Sequence, residues 1–191
     1  MYTNNKRIAR LLGISIAMNF LLFSASYFLN LPLWLDTTGT MYAATILGAP
    51  AGSLVAIVNN LTESIFFYGD QSLFFYFVSL FTAYATAYIF KKYNNKKIVK
   101  WVILTIALVF IEGFFSVLIT FLVNSGIPSN FWSMKLYYIF LKNGKTSFFS
   151  TIYSVLIIKI PDILISVFVT SIAVKITPRK LKTTDMIIID F

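Results

Sequence analysis

Charged side chains interrupt the apolar segments of this 191-residue chain. They are four carboxylates and one lysine: Asp36, Glu63, Glu112, Asp162 and Lys159. A charge at the centre of a membrane helix costs about 2.5–3.5 kcal/mol on insertion scales, and such residues usually face a bundle interior or a wet cavity. We therefore predict one polar pocket within a membrane, and the acidic surplus favours a cationic or amine-bearing ligand unless burial protonates a carboxylate. The alternative is that the lysine pairs with a carboxylate only to hold helices together.

The residue inventory excludes several kinds of chemistry. The chain has no His and no Cys, which removes the commonest metal ligand and acid–base group together with all thiolate chemistry. It also lacks a phosphate-binding loop, so any energy must come from a gradient or a partner. We expect no metal site, no cofactor held by this chain and no enzymatic activity.

A polar stretch separates the first two apolar segments. It reads LPLWLDTTGT from Leu31 and ends in GAPAG at Gly52. We predict that Trp34, Asp36 and Thr37 lie in a loop that closes over the pocket from outside. The glycines of GAPAG are interpreted as a tight turn on the inner side.

Further polar and aromatic residues are predicted to line the same pocket. Asn60 and Glu63 are three residues apart and so share one face of a helix. Trp34, Tyr68 and Tyr76 fall near the same level, where aromatic rings either stack on a ligand or form the belt of a membrane protein.

The composition predicts an all-α integral membrane protein. Of the residues, 58% are hydrophobic and 12% are charged, whereas soluble domains carry roughly 25% charged residues. A membrane crossing needs about 20 apolar residues, so the spans occupy the chain and we predict one domain over residues 1–191. A further, interfacial helix is predicted near 131–141. The second segment is too short to cross upright, so we expect protein to bury its outer end. The six predicted spans are about 8–29, 38–47, 51–68, 72–91, 100–123 and 148–176.

Basic residues flank these spans on one side. Twelve of the sixteen Lys and Arg residues fall there, which by the positive-inside rule predicts both termini in the cytoplasm. The net charge of +9 is thus explained by basic residues that flank the spans on the cytoplasmic side of a lipid bilayer. We therefore expect no binding to nucleic acid. The twelve are Lys6, Arg7, Arg10, Lys91, Lys92, Lys96, Lys97, Lys100, Lys175, Arg179, Lys180 and Lys182.

The first span carries a row of small residues at four-residue spacing: Ala9, Gly13 and Ala17. Such a row lets another helix approach closely, and the partner is either a helix of this chain or a separate membrane subunit. We expect the span to be retained, because its apolar run is longer than that of a usual signal peptide. Cleavage near Ser26 is the alternative.

Three segments together resemble a known family. They are LPLWLDTTGT followed by LGAPAG and VNN, an aromatic-rich span with a basic loop after it, and KIPDILISVFVTSIAVKITPRK near the end. With six spans and the small-residue row, the chain resembles the substrate-binding S component of energy-coupling factor (ECF) transporters, which are bacterial vitamin-uptake systems. The row departs from the family's Ala-x-x-x-Ala by placing Gly13 between two alanines.

The resemblance implies a function and partners. An S component in the bacterial cytoplasmic membrane captures a vitamin or related micronutrient from outside with high affinity. It docks the row of its first span onto a membrane scaffold (T) subunit, and two cytoplasmic ATPase subunits drive a toppling motion that releases the ligand inside. Asp36 falls in the matching loop, and Glu112, Lys159 and Asp162 fall in matching spans.

Two other functions remain open at this point. One is a ligand-sensing membrane receptor that signals through a partner. The other is a stand-alone proton-coupled carrier with Glu63, Glu112 and Asp162 as a relay, although no inverted repeat of the kind common in such carriers is visible.

Overall fold

The computed structural model describes residues 2–178 and residue 181, and all regular structure in this part is helical. A π-helical turn, Ser64–Tyr68, and a 3₁₀ helix, Asp70–Phe75, join α3 to α4. The α-helix bounds lie within six residues of the predicted spans, and α6 corresponds to the helix predicted near 131–141. The seven α-helices are α1 Tyr2–Phe28, α2 Thr38–Leu47, α3 Ala49–Glu63, α4 Tyr76–Lys92, α5 Val99–Asn124, α6 Phe131–Lys142 and α7 Ser147–Ile176.

Four helical stretches are long and apolar enough to cross a membrane: Asn5–Phe28, Ser72–Lys92, Val99–Asn124 and Ser147–Ile176. Each also keeps large apolar side chains exposed on its outer face, as helices in contact with lipid do. The fold is therefore compatible with a membrane protein.

The short helix α2 lies in the centre of the bundle. It packs against α1, α3, α4 and α7, and eight of its ten residues are buried. The non-helical residues before α2 are the ones whose backbone would need enclosure by protein in a membrane.

The turn between α2 and α3 is shorter than predicted. Gly48 alone interrupts the helices, with φ at +94°, and Pro50 already lies in the first turn of α3. The prediction that Gly52 serves the turn is wrong, because a Cβ there would lie 2.9 Å from the Cβ atoms of Ala44 and Ala83. Gly52 is needed for the close packing of α3 on α2 and α4.

The bundle has two distinct ends. At the basic end, the start of α1 meets the end of α7, where Arg7 Nε donates to the Leu181 carbonyl at 3.2 Å. At the loop end, Trp132 Nε1 of α6 donates to the Asn30 carbonyl at 2.8 Å. Of the basic residues used for the orientation, Arg179, Lys180 and Lys182 lie outside the described residues.

The interior near the basic end is packed with apolar side chains from four helices. These come from α2, α4, α5 and α7 and fill the bundle below its middle. The buried members of this core are Met41, Ile89, Phe90, Leu104, Leu108, Ile163 and Val167.

Candidate functional site

A cavity lies between the middle of the bundle and its loop end. Its enclosed space is about 70 Å³, and the wider recess, open solvent included, is about 770 Å³. Polar side chains from α3, α4, α5, α7 and the loop before α2 line it together with three aromatic rings. The lining residues are Trp34, Asp36, Glu63, Tyr68, Ser72, Phe75, Val78, Ser79, Ser116, Thr120, Asn124, Pro128, Ser129, Val155 and Lys159.

The loop before α2 reaches deep into the bundle. Asp162, near the middle of the 30-residue α7, accepts hydrogen bonds from the backbone N–H groups of Trp34 at 2.9 Å and Leu35 at 2.8 Å. The loop therefore forms an inner wall of the cavity, rather than a lid lying above the pocket as the sequence analysis predicted.

The loop has an uncommon backbone conformation at its deepest part. Leu35 is buried and has φ at +56°, in the left-handed region that bulky residues rarely adopt. Such a conformation costs about 1–3 kcal/mol and persists where surrounding contacts enforce it. The two hydrogen bonds to the Asp162 carboxylate are the contacts that enforce it here.

Lys159 is surrounded by groups of the protein itself. Its Nζ lies 3.1 Å from Glu112 Oε2 and 3.4 Å from Asp162 Oδ2, and 5.0 Å from the centre of the Trp34 ring. Thr82 Oγ1 donates to the other Glu112 oxygen at 2.8 Å. The structure thus agrees with the alternative in which Lys159 pairs with carboxylates of the same chain. Its ion pair with Glu112 connects α7 to α5 at the floor of the cavity.

Asp36 and Glu63 are placed differently. Both line the cavity, and the exposed fractions of these residues are 9% and 5%. Asp36 Oδ1 is buried and has no hydrogen-bond partner among the described residues. Glu63 accepts one hydrogen bond, from Asn59 Nδ2 at 2.6 Å, and neither carboxylate is within ion-pair distance of a described basic group.

A change of helix type shapes the wall beside Glu63. The α-helix ends at Glu63 and continues as the π turn, which stops at Gly69 with φ at +75°. This wider turn carries Tyr68, which lines the cavity. Isolated π turns are found frequently at functional sites.

Most of the uncharged residues of the cavity lining were not predicted from the sequence. Ser116, Thr120 and Asn124 continue from Glu112 at intervals of four residues and so form one stripe along α5, of which all but Glu112 line the cavity. This spacing was visible in the sequence. Ser72 and Ser79 also line the cavity, but single hydroxyl groups are common in apolar helices and gave no such signal.

The predicted binding residues therefore divide into two groups. Trp34, Asp36, Glu63 and Lys159 line the cavity. Thr37, Asn60, Glu112 and Asp162 are buried behind its wall, where, for example, the Asn60 amide donates to Ser79 Oγ at 3.2 Å.

No protein-family model, curated protein or solved structure matches the chain. The resemblance to ECF S components thus stays a prediction from the sequence motifs.

The small-residue row of α1 faces away from the bundle. Ala9, Gly13 and Ala17 are exposed, and a Cβ added at Gly13 would meet nothing within 4 Å. The face that packs inside the chain is another one, where a Cβ at Gly39 of α2 would overlap the Ser15 carbonyl oxygen. The row thus makes no contact within the described chain that requires a small residue at Gly13.

Proposed function

We propose that the chain captures a small molecule from outside the cell as the S component of an ATP-driven ECF transporter. The micronutrient enters the cavity from the loop end, and the ATPase subunits and the scaffold subunit are separate chains. The chain is then a six-span protein of the bacterial cytoplasmic membrane, with both termini inside.

One observation carries this proposal: the cavity opens toward the loop end of the bundle and ends at a packed floor near the middle. The pairs between Lys159, Glu112 and Asp162 form the floor, and below them lies the buried apolar core. Such a bundle binds a solute but offers it no passage, so delivery inward requires a movement driven by a partner.

The position of the α2–α3 hairpin supports six membrane spans rather than the four given by the long helices alone. Tyr42 of α2 shares a hydrogen bond of 2.8 Å with Thr177 at the end of α7, and Ile46 packs in the same cluster as Leu11 of α1. The turn at Gly48 therefore lies level with the basic end, as it must if α2 and α3 each cross.

Cysteine labelling tests this topology without background, because the chain has no Cys. We expect a membrane-impermeant maleimide to modify Ala49→Cys and Lys96→Cys only from the cytoplasmic side, and Lys142→Cys only from outside. Protection of Ala49→Cys from both sides would indicate a hairpin that enters and leaves on one side.

The exposed row on α1 supports a separate membrane partner. A leucine at Gly13 has free space within the chain, so we expect Gly13→Leu to keep its stability and ligand affinity but to lose uptake and co-purification with the scaffold. Ala25→Leu, at another exposed position of α1, is the matched control and should transport normally. Loss of ligand affinity in Gly13→Leu would assign the row to internal packing.

Co-purification from the native membrane is the decisive experiment. We expect the tagged chain to recover a membrane scaffold and a pair of ATPases, and uptake into vesicles to require ATP. Uptake by the isolated chain on a proton gradient would support the carrier alternative. A ligand-bound chain that recovers a signalling partner and supports no uptake would support the receptor alternative.

A further inference from the structure

The distribution of pairing partners among the buried charges indicates the kind of ligand. We infer that the cavity binds an organic cation, whose ammonium or guanidinium group lies between Asp36 and Glu63. This inference rests on the proposed function, because it assumes that the cavity holds a solute.

The only basic group in the cavity lining is already paired. Lys159 contacts Glu112 and Asp162 at 3.1 and 3.4 Å, and neither of these carboxylates lines the cavity. An anionic ligand would have to compete with both for the same ammonium group. The lining therefore offers an anion no free positive charge.

Among the described residues, two of the four buried carboxylates lie within ion-pair distance of Lys159 and two do not. Asp162 accepts two backbone N–H groups besides Lys159, and Glu112 accepts from Thr82. Asp36 has a buried oxygen without a partner, and Glu63 has a single neutral donor. A buried carboxylate without a cation or sufficient donors is costly, and a positively charged ligand removes that cost at both residues.

The remaining lining restricts the cation to an organic one. Tyr68 and Phe75 present aromatic rings, which attract cations and stack on flat groups, while Ser116 and Thr120 offer hydroxyl groups to a neutral polar end. The Trp34 ring, already 5.0 Å from Lys159 Nζ, adds a flat surface. In the described chain no group of three or more His, Cys, Asp or Glu residues is placed to hold a metal ion. A small amine with a flat or apolar body fits these surfaces.

Thermal-shift measurements on the full chain in lipid nanodiscs test the inference. The probes are the cationic, neutral and anionic fractions of yeast extract, separated by ion exchange and adjusted to the same pH and salt. We expect only the cationic fraction to raise the melting temperature. Asp36→Asn and Glu63→Gln should each raise the half-effective concentration of that fraction at least tenfold, the range expected when a hydrogen bond to a charged group is lost.

The controls separate this inference from the proposed function. Asp70→Asn removes an exposed carboxylate outside the cavity lining and should respond like the original chain. Melting temperatures without extract verify that each variant is folded, and Glu63→Gln can keep its bond from Asn59. Stabilisation by the neutral or anionic fraction alone, or an unchanged response in both variants, would overturn the inference and leave the proposed function standing. Stabilisation by no fraction would overturn both.

Discussion

The loss of the Lys159 ammonium group is expected to destabilise the bundle strongly. Lys159→Met keeps most of the side-chain volume but removes the ammonium group that lies 3.1 Å from Glu112 and 3.4 Å from Asp162. At an effective dielectric constant of about 20, each attraction is about 5 kcal/mol. Much of this offsets the cost of burying the charges, and breaking a buried pair by removing one partner costs about 3–5 kcal/mol.

A second substitution separates charge pairing from packing. Glu112→Gln leaves Lys159 paired with Asp162 and keeps an oxygen for Thr82, so it should cost less than Lys159→Met. Adding Glu112→Gln to Lys159→Met removes one of the two carboxylates that have lost their cation. We therefore expect the double variant to be more stable than Lys159→Met alone.

Thermal unfolding in detergent micelles, followed by tryptophan fluorescence, measures these differences. A loss of 3–5 kcal/mol corresponds to a decrease of about 6–20 °C in melting temperature for a chain of this size, and Trp34 reports locally because its ring is 5.0 Å from Lys159 Nζ. Lys142→Met, at the exposed end of α6, is the control and should change little. Two results would contradict this expectation: unfolding of Lys159→Met at the temperature of the control, or a double variant that is less stable than Lys159→Met alone.

Three other substitutions test single contacts in the same assay. Gly39→Ala should lower the free energy of unfolding by about 3 kcal/mol or more, because its Cβ would overlap the Ser15 carbonyl oxygen. Gly13→Ala should be neutral, and equal stability of the two variants would contradict the close packing of α1 on α2. Asp162→Ala leaves two buried backbone N–H groups without an acceptor, so it should cost about 1–3 kcal/mol for each group. It should destabilise the chain more than Asp162→Asn, and the reverse order would show that the carboxylate does not hold the loop. Trp132→Phe removes the bond to a loop carbonyl at an exposed site and should cost less than about 1 kcal/mol, so a larger loss would place α6 among the elements that hold the fold.

The helices were largely predictable from the sequence, since their signals are local. Apolar runs gave α5 and α7 to within one residue at each end. The spacing of Asn60 and Glu63 correctly placed both on a buried face of α3. The GAPAG turn was misjudged because Gly and Pro serve both in turns and in the first turn of a helix, and only the packing around Gly52 distinguishes the two uses.

The depth of the loop before α2 was not predictable from its own residues. Its position is set by hydrogen bonds between Trp34 or Leu35 and Asp162, more than 120 residues further along the chain. A polar loop between two apolar segments looks the same in sequence whether it lies above a bundle or inside it. The choice depends on whether a buried acceptor on another helix is available to its N–H groups.

The sequence by itself determined that the chain is helical and membrane-like, and that four carboxylates and one lysine occur among its apolar segments. The tertiary structure decided which of these carboxylates form ion pairs with the lysine. The rotation of α5 and α7 turns Glu112 and Asp162 toward Lys159, while Asp36 and Glu63 remain at the cavity wall with no described basic group within ion-pair distance. Pairing depends on distances of a few ångströms between helices, and such distances arise only when the helices pack.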